Sequence, residues 1–361
     1  MYSNRISTTA RYNLLTEDIR RNEANYNRLT AQLASGKKIT SITDDPIAAV
    51  NIVNTNRQLG QIETFNRNAQ LAMEELDDLD DLMELAGGYL TQAWDKAVQA
   101  NNGTYGPTSL KALKVEIDEI TKTMVDLANS EFNDNFIFAG ANTKLTPYEI
   151  DENGNILYYG TPQDNPDYVR KTEIADGVFE VINTTGDRVF GYYDSYFESE
   201  DKNKYYPQTD ENGNTIYVDK KGNQYTGDED ALTAKTDYSG VMGALKILSD
   251  SIQEVIDAKE AGDSDAETTA YAKMFSTLDM FSNAQNAILT EQTKFGGVQN
   301  RLQMTESTLE TNTENLTSYL SSLQDVDLAS AASKWMQAQY SYQASLQVAA
   351  QAMNMSLLNY M

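Results

Sequence analysis

The chain is 361 residues long and carries 28 basic against 54 acidic side chains, a formal net charge of −26. A surface so acidic repels phosphate backbones and anionic lipid, which sets nucleic acid and membrane surfaces aside as partners. It contains no His and no Cys; this removes imidazole bases, thiolate nucleophiles, Cys/His zinc sites and disulfides, and leaves a carboxylate pair, a Ser–Lys dyad or an oxygen-ligand metal site.

The opening residues, Met1-Tyr-Ser-Asn-Arg-Ile-Ser, lack the apolar run of a cleavable signal peptide. No stretch reaches the ~18 uncharged apolar residues of a membrane span. Charge is uneven: residues 1–60 hold eight basic and five acidic side chains, residues 326–361 only Asp327 and Lys334, so the excess of acid lies between them. Ends poor in net charge around an acidic middle are expected when the ends meet other protein and the middle meets water.

In chain order, Tyr12, Leu15, Ile19, Asn22, Tyr26, Leu29 and Leu33 repeat in threes and fours, a heptad seam interrupted once by Asn22. Ser35-Gly36 stops this helix and Asp44-Asp45-Pro46 starts the next, with Asp as cap and Pro in the first turn. Helical patterning then runs to about Ala100, ends at Asn101-Asn102-Gly103, and reopens at Pro107 with the seam Leu113, Ile117, Ile120, Met124 and Leu127. Residues 144–239 read as β-rich, dense in Tyr, with Asp151-Glu-Asn-Gly-Asn, Asp210-Glu-Asn-Gly-Asn and Asp219-Lys-Lys-Gly-Asn as hairpin turns. Helix resumes near Val241, turns at Glu260-Ala-Gly-Asp, and gives a long seam through Val298, Leu302, Leu309, Leu316 and Leu323. After Asp325-Val-Asp327 a last helix carries Trp335, Tyr342, Leu346, Met353 and Leu357. Long amphipathic helices need partners for their stripes, and pairing the N-terminal with the C-terminal helices is the economical solution. The fold expected is mainly α: a long antiparallel helical coiled coil or bundle formed by the N- and C-terminal segments, with a β-rich inserted domain.

No motif argues for chemistry. The cluster Glu74, Glu75, Asp77, Asp78, Asp80, Asp81 and Glu84 has Leu76, Leu79 and Met83 at helical spacing inside it, the mark of a solvated helix face rather than a cation site. The Asp-Glu-Asn-Gly-Asn turns place Gly too early for a helix–loop–helix calcium loop. Gly87-Gly88 and Gly296-Gly297 lack phosphate-loop or dinucleotide spacing, and Asn183-Thr-Thr is a sequon whose three residues recur by chance. No catalytic, cofactor or metal residue is therefore assigned.

The helix–helix–insert–helix order resembles the bacterial flagellin superfamily, and so do particular residues. Gln32-Leu-Ala-Ser-Gly-Lys-Lys-Ile-Thr-Ser-Ile-Thr-Asp-Asp-Pro-Ile-Ala-Ala49 is similar to the family's Ser-Gly loop and helix start, and Phe295-Gly-Gly-Val-Gln-Asn-Arg-Leu302 to the start of its long C-terminal helix. Asn4-Arg-Ile-Ser-Thr8, the Pro-Ile of Asp45-Pro-Ile-Ala-Ala49, Phe136-Ile-Phe-Ala-Gly140 and Gln343-Ala-Ser-Leu-Gln347 resemble the branch that joins hook to filament more than filament flagellins. The resemblance covers about 1–143 and 290–361 and leaves the insert without a role.

That resemblance implies a non-enzymatic structural subunit at the hook–filament junction, outside the cell, exported without a cleaved signal peptide. Its implied partners are copies of itself in an axial ring, the first hook-associated protein, flagellin and a flagellar export chaperone, with no membrane insertion. It also implies an assembly domain of residues 1–46 with 326–361, disordered in the monomer, a helical core of 47–143 with 240–325, and a variable insert of 144–239. The assembly interface would be Leu15, Ile19, Leu29, Leu33, Leu346, Met353 and Leu357, and the core seam Leu302, Leu309, Leu316 and Leu323. Two other readings stand beside this one: a filament flagellin, and a secreted carboxylate-dependent hydrolase carried by the insert, which would need two carboxylates across a cleft.

Overall fold

The computed structural model describes residues 8–358 except 163, 166–167, 200, 210–214, 220–222 and 227–231; the side chains of 8, 9, 11, 209 and 353–358 also stand outside the description. Helix α1 spans Thr8–Ser35 and ends where Gly36 turns to φ +69°. Helix α2, Pro46–Ala100, starts on an Asp cap: Asp45 Oδ1 accepts from the backbone N–H of Ile47 (3.1 Å) and Ala48 (3.0 Å). Helix α3, Pro107–Ala128, has its Pro in the first turn and buries Leu113, Ile117, Ile120 and Met124. Helices α5 (Gly240–Ala261), α6 (Ser264–Gln324) and α7 (Leu328–Leu358) complete the helical part.

The boundaries fall where capping chemistry puts them, with one exception. Phe295-Gly-Gly is not a helix start: α6 begins at Ser264, where Asp263 Oδ1 caps the N–H groups of Asp265 and Ala266, and runs through both glycines. Each Gly costs ~1 kcal/mol against Ala in a helix, but Phe295 (1% exposed) and Leu302 (0%) are anchored on either side, and that burial outweighs the propensity.

Among the described residues between α3 and α5 lie ten strands, all paired antiparallel, and one short helix. β1 (Glu131–Phe132) and β2 (Asn135–Phe136) form a small hairpin. β3 (Tyr148–Ile150), β4 (Ile156–Tyr158), β7 (Tyr192–Glu198), β8 (Lys204–Thr209) and β9 (Thr215–Val218) follow one another across a sheet, and β10 (Thr233–Ser239) pairs along the whole of β7, Thr233 opposite Glu198 and Ser239 opposite Tyr192. β5 (Lys171–Ala175) and β6 (Val178–Val181) make a separate hairpin, followed by α4 (Gly186–Val189). Two of the Asp-x-x-Gly-Asn turns, at Asp151 and Asp219, share one geometry; the turn at Asp210 lies outside the described residues. Asp151 Oδ1 accepts from Asn155 N at 2.8 Å while Asn155 Nδ2 donates to Asp151 Oδ2 at 2.8 Å, and Asp219 and Asn223 repeat both bonds at 2.8 and 2.9 Å.

The β7–β10 pair meets α4 and α5 at Gly191 (φ +72°) and Gly240 (φ +59°). A Cβ on Gly191 would sit 2.0 Å from the Ser239 carbonyl oxygen, so the two backbones approach as only glycine permits.

The fold divides into two compact units: a terminal unit of Met1–Thr64 with Ser307–Met361, and a central unit of Phe65–Glu306. In the central unit α2 and α6 run antiparallel, tied by Gln70 to Glu306 (2.9 Å), Gln299 to Asp77 (2.8 Å) and Gln292 to Asp80 (3.1 Å). One continuous core runs from Ala69 to Leu302 in sequence; it includes Tyr148, Ile156, Ile182 and Phe190 of the β-rich segment beside Leu79, Met124, Leu248 and Phe281 of the helices. In the terminal unit α1 lies antiparallel to α7.

Candidate assembly surface

The α1–α7 pair is registered by aromatic and backbone groups more than by leucines. The Tyr26 ring stacks on Tyr342 (centroids 6.0 Å apart) and tilts against Trp335 (5.8 Å), and Trp335 Nε1 donates to Thr30 Oγ1 at 2.8 Å. Near the open end of the pair, Tyr12 Oη donates to the Ala352 carbonyl at 3.4 Å. At the other end two turns clip together: Lys38 N donates to Gln324 O (2.7 Å), Val326 N donates to Gly36 O (2.9 Å), and Lys38 Nζ reaches Ser322 O (2.8 Å). The adjoining turn is closed by Asp44, whose carboxyl is held below the usual carboxylate range by the backbone N–H groups of Thr40 and Ser41.

Of the predicted interface, Leu29 is buried, Leu15, Ile19 and Leu33 are half-buried, and Leu346 is 43% exposed. The side chains of Met353 and Leu357 lie outside the described residues. Of the core seam, Leu302 is enclosed by the central core and Leu309 is buried in the terminal unit, while Leu316 and Leu323 are half-buried there. Among the described residues of the terminal unit, the buried apolar side chains are Leu29, Ala49, Leu309, Leu320, Ala331 and Ala338. Against them stand Ile42 at 71% exposure, Ile47 at 78%, Val53 at 65% and Tyr340 at 69%. Ile47, Val50 and Val53 recur every third residue on α2, so they form one uncovered stripe. Sequence reasoning took Ile47 only as a helix start and missed Val50 and Val53; the signal available was their spacing.

The acidic cluster divides by partner. Glu75 pairs with Arg170 at the start of the β5–β6 hairpin, Asp77 and Asp80 accept from glutamines of α6, and Glu74, Asp78, Asp81 and Glu84 face water. Among the described residues no group of three or more carboxylates is placed to hold a metal ion, and no helix is long and apolar enough to cross a membrane. The sequon asparagine is used internally: Asn183 is 1% exposed, its Oδ1 accepts from Arg170 N and its Nδ2 donates to Tyr168 O.

Two family models match the chain, the bacterial flagellin N-terminal helical region over residues 6–143 and the bacterial flagellin C-terminal helical region over 278–361, together well over half of it. The chain belongs to the bacterial flagellin family. It is 24% identical to the flagellar hook-associated protein 3 of Escherichia coli over 98% of both chains. It is 27% identical to the flagellar hook-associated protein 3 of Salmonella typhimurium over 52% of this chain and 56% of that one, so this match spans little more than half of the relative. A flagellin of Clostridium tyrobutyricum is 24% identical over 87% of this chain and 89% of its own. Among solved structures, hook-associated protein 3 of Legionella pneumophila (TM-score 0.56, 16% identity, 75% of this chain and 98% of that one) and FlgL of Xanthomonas campestris (0.53, 18%, 74% and 99%) share the fold. This flagellin-family chain is thus a structural protein of the bacterial flagellum, a class that assembles with other flagellar components. All the seam residues fall inside the two matched helical regions, and residues 144–277 fall outside both.

Proposed function

We propose that this chain is the structural subunit that joins hook to filament, assembled as an axial ring between the first hook-associated protein and flagellin. It performs no catalysis; its work is burial. The observation that carries the reading is the terminal unit, whose helices cover few of their own apolar side chains and leave Ile47, Val50, Val53, Tyr340 and Leu346 in water. Covering apolar surface contributes roughly 25 cal/mol per Å², so stacking of copies through residues 1–46 and 326–361, together with the start of α2, supplies what the monomer lacks. Leu15, Ile19, Leu29, Leu33, Leu346, Met353 and Leu357 are the residues we assign to that contact. Export through the flagellar channel without a cleaved signal, with a chaperone on the C-terminal helices, fits a terminal unit held by few ties in the monomer and completed on assembly.

The likeness to hook-associated protein 3 along 98% of both chains favours the junction over the filament, although a flagellin relative is matched over most of the chain as well. Deleting the gene and viewing cells by electron microscopy, with a flagellin blot of the medium, separates the two. Intact hooks without filaments and flagellin shed as monomer are expected. Hooks with no flagellin anywhere would make this chain the filament subunit, and swimming cells with normal filaments would overturn both structural roles.

A further inference from the structure

Helix α6 leaves one side in water that carries almost no charge. Phe275 (65% exposed), Leu289 (48%) and Met304 (73%) follow one another at close to four turns of helix each, so they share a side. Asn286, Leu289, Thr293, Gly297, Asn300 and Met304 continue it in threes and fours, all exposed. From Ser282 to Met304 the one exposed charged residue of α6 is Arg301, and it is paired with Glu180 at 2.6 Å. Helix α2 lies at the same level, held by the Gln292–Asp80 and Gln299–Asp77 bonds, and its exposed side carries Glu74, Asp78, Asp81 and Glu84 instead. In a chain of net charge −26, an uncharged face about 33 Å long is not what solvation alone selects.

The Gly-Gly pair points the same way. A Cβ on Gly296 or Gly297 would meet nothing within 4 Å, so no contact inside the described chain calls for glycine in a helix interior, where it is the poorest choice after Pro. Glycine does lower the face there and admits the close approach of another backbone.

The surface that fits is the stripe Ile47, Val50 and Val53 on α2. From Pro46 to Gln61 the one charged residue is Arg57, which is exposed and has no ion pair among the described residues. Two copies of so acidic a chain repel wherever their carboxylates meet. On the stripe and on the α6 face neither copy brings one, and Arg57 supplies a cation for the water-facing carboxylates of the α2 beside that face. We infer that the Ile47–Val53 stripe of one copy lies on the Leu289–Met304 face of α6 in a second copy, with Gly296 and Gly297 at the closest approach. Stripe and face are different surfaces, so the contact runs head to tail, the kind that closes a ring. The inference rests on the junction reading above and names the surface that its ring uses.

The chain has no Cys, so introduced cysteines report contacts without background. In the deletion strain complemented with the full chain, Val50→Cys is combined with Leu289→Cys or with Met304→Cys, and with Glu84→Cys as the control. Assembled flagella are oxidised and the chain is blotted. A ladder extending beyond the dimer is expected from at least one face pair, and no product from the Glu84 pair or from any single variant. A dimer alone, equal cross-linking with Glu84→Cys, or no product from either face pair overturns the proposal. Gly297→Leu gives a second readout. It should keep or raise the monomer's unfolding midpoint, since the site is open and Leu favours helix, yet reduce filament attachment by about tenfold, the factor that overpacking a contact implies. Attachment equal to that of the unaltered chain, or a lowered midpoint, counts against the contact. The two readings fail separately: normal filaments in the deletion strain itself remove the junction role, whereas bare hooks there, with full attachment restored by Gly297→Leu, remove this contact alone.

Discussion

The terminal and central units are built from the same two helices in part, since α2 and α6 run through both, yet they treat apolar side chains in opposite ways. The central unit gathers Leu79, Met83, Met124, Leu248, Phe281 and Phe295 into one core with no exposure above 2% among them. The terminal unit leaves Ile42, Ile47, Val50 and Val53 in water and is joined by an aromatic cluster and a backbone clip. Helix propensity cannot be the difference, because α2 and α6 continue as unbroken helices through both units. What differs is that in the central unit α3, α5 and the strands also pack on these helices; among the described residues of the terminal unit nothing does, and the uncovered part of each apolar face is available for other chains.

The comparison breaks first if the central unit is not where monomer stability resides. Phe281→Ala empties a fully buried site and should destabilise the monomer by about 3–5 kcal/mol, read from the midpoint of urea unfolding. Leu346→Ala, at a 43% exposed position, should move that midpoint by less than about 0.5 kcal/mol while reducing filament attachment in cells. Similar shifts for both would erase the distinction. Hydrogen exchange sharpens it: amides of α1 should exchange far faster in the monomer than those of α3, and equal protection would show that the terminal unit folds without partners.

A second test is aimed at the junction between helices and sheet. Gly191→Ala adds a Cβ 2.0 Å from Ser239 O at φ +72°, and both the strain and the clash should cost about 1–3 kcal/mol or more. Gly177→Ala, also at φ +69° but with nothing within 4 Å, isolates the strain alone and should cost about 1 kcal/mol. Equal losses at the two positions would mean that the backbones part to admit the methyl group.

The insert's charged network makes the central unit pH-dependent in a defined window. The Lys204 hydrogen bond holds the Asp237 carboxyl below the usual carboxylate range against the effect of burial. Burial opposes the charge on Lys204, but bonds to Asp194 and Asp237 outweigh it and push this ammonium above the usual lysine range. Asp237 has its lower value in the folded state, so its contribution is complete above about pH 3.9 and is lost as pH falls through the folded value. Lys204 has its higher value when folded, so its contribution is complete below about pH 10.4 and is lost as pH rises further. Protection of the β7–β10 amides should decline on both limbs, and Asp237→Asn should flatten the acid one. An unchanged acid limb in that variant would assign the dependence to other carboxylates.

Helices, caps and hairpins were legible because each is a local code. Asp45-Pro46, Gly36 and the Asp-x-x-Gly-Asn turns state their geometry within five residues. Long-range pairing was not legible. Glu75 and Arg170 are 95 residues apart and Arg188 and Glu291 farther still, and in a chain with 54 carboxylates nothing singles out Glu75 and Glu291 as buried. The start of α6 is legible at the Glu260-Ala-Gly-Asp turn, where Asp263 caps it; the helix start that the family resemblance implies at Phe295 lies instead inside α6, where the burial of Phe295 holds the helix through Gly296 and Gly297. At the assembly surface the seam could be read as apolar, but which side chains a second helix already covers could not.

The smallest effect expected concerns the registration of α1 on α7. Trp335→Phe keeps a ring against Tyr26 and removes only the indole N–H donated to Thr30 at 2.8 Å. A neutral hydrogen bond at an exposed position is worth about 0.5–1 kcal/mol, so the monomer's unfolding midpoint, set by the central core, should not move measurably. The terminal pair has few other ties, and the same loss is a large fraction of what holds it. Exchange of the amides near Thr30 should therefore quicken by about two- to fivefold, the factor that energy implies, with no change at α3. A quickening at α3 as well would show that the two units unfold together, and the contrast between them would then be one of surface alone.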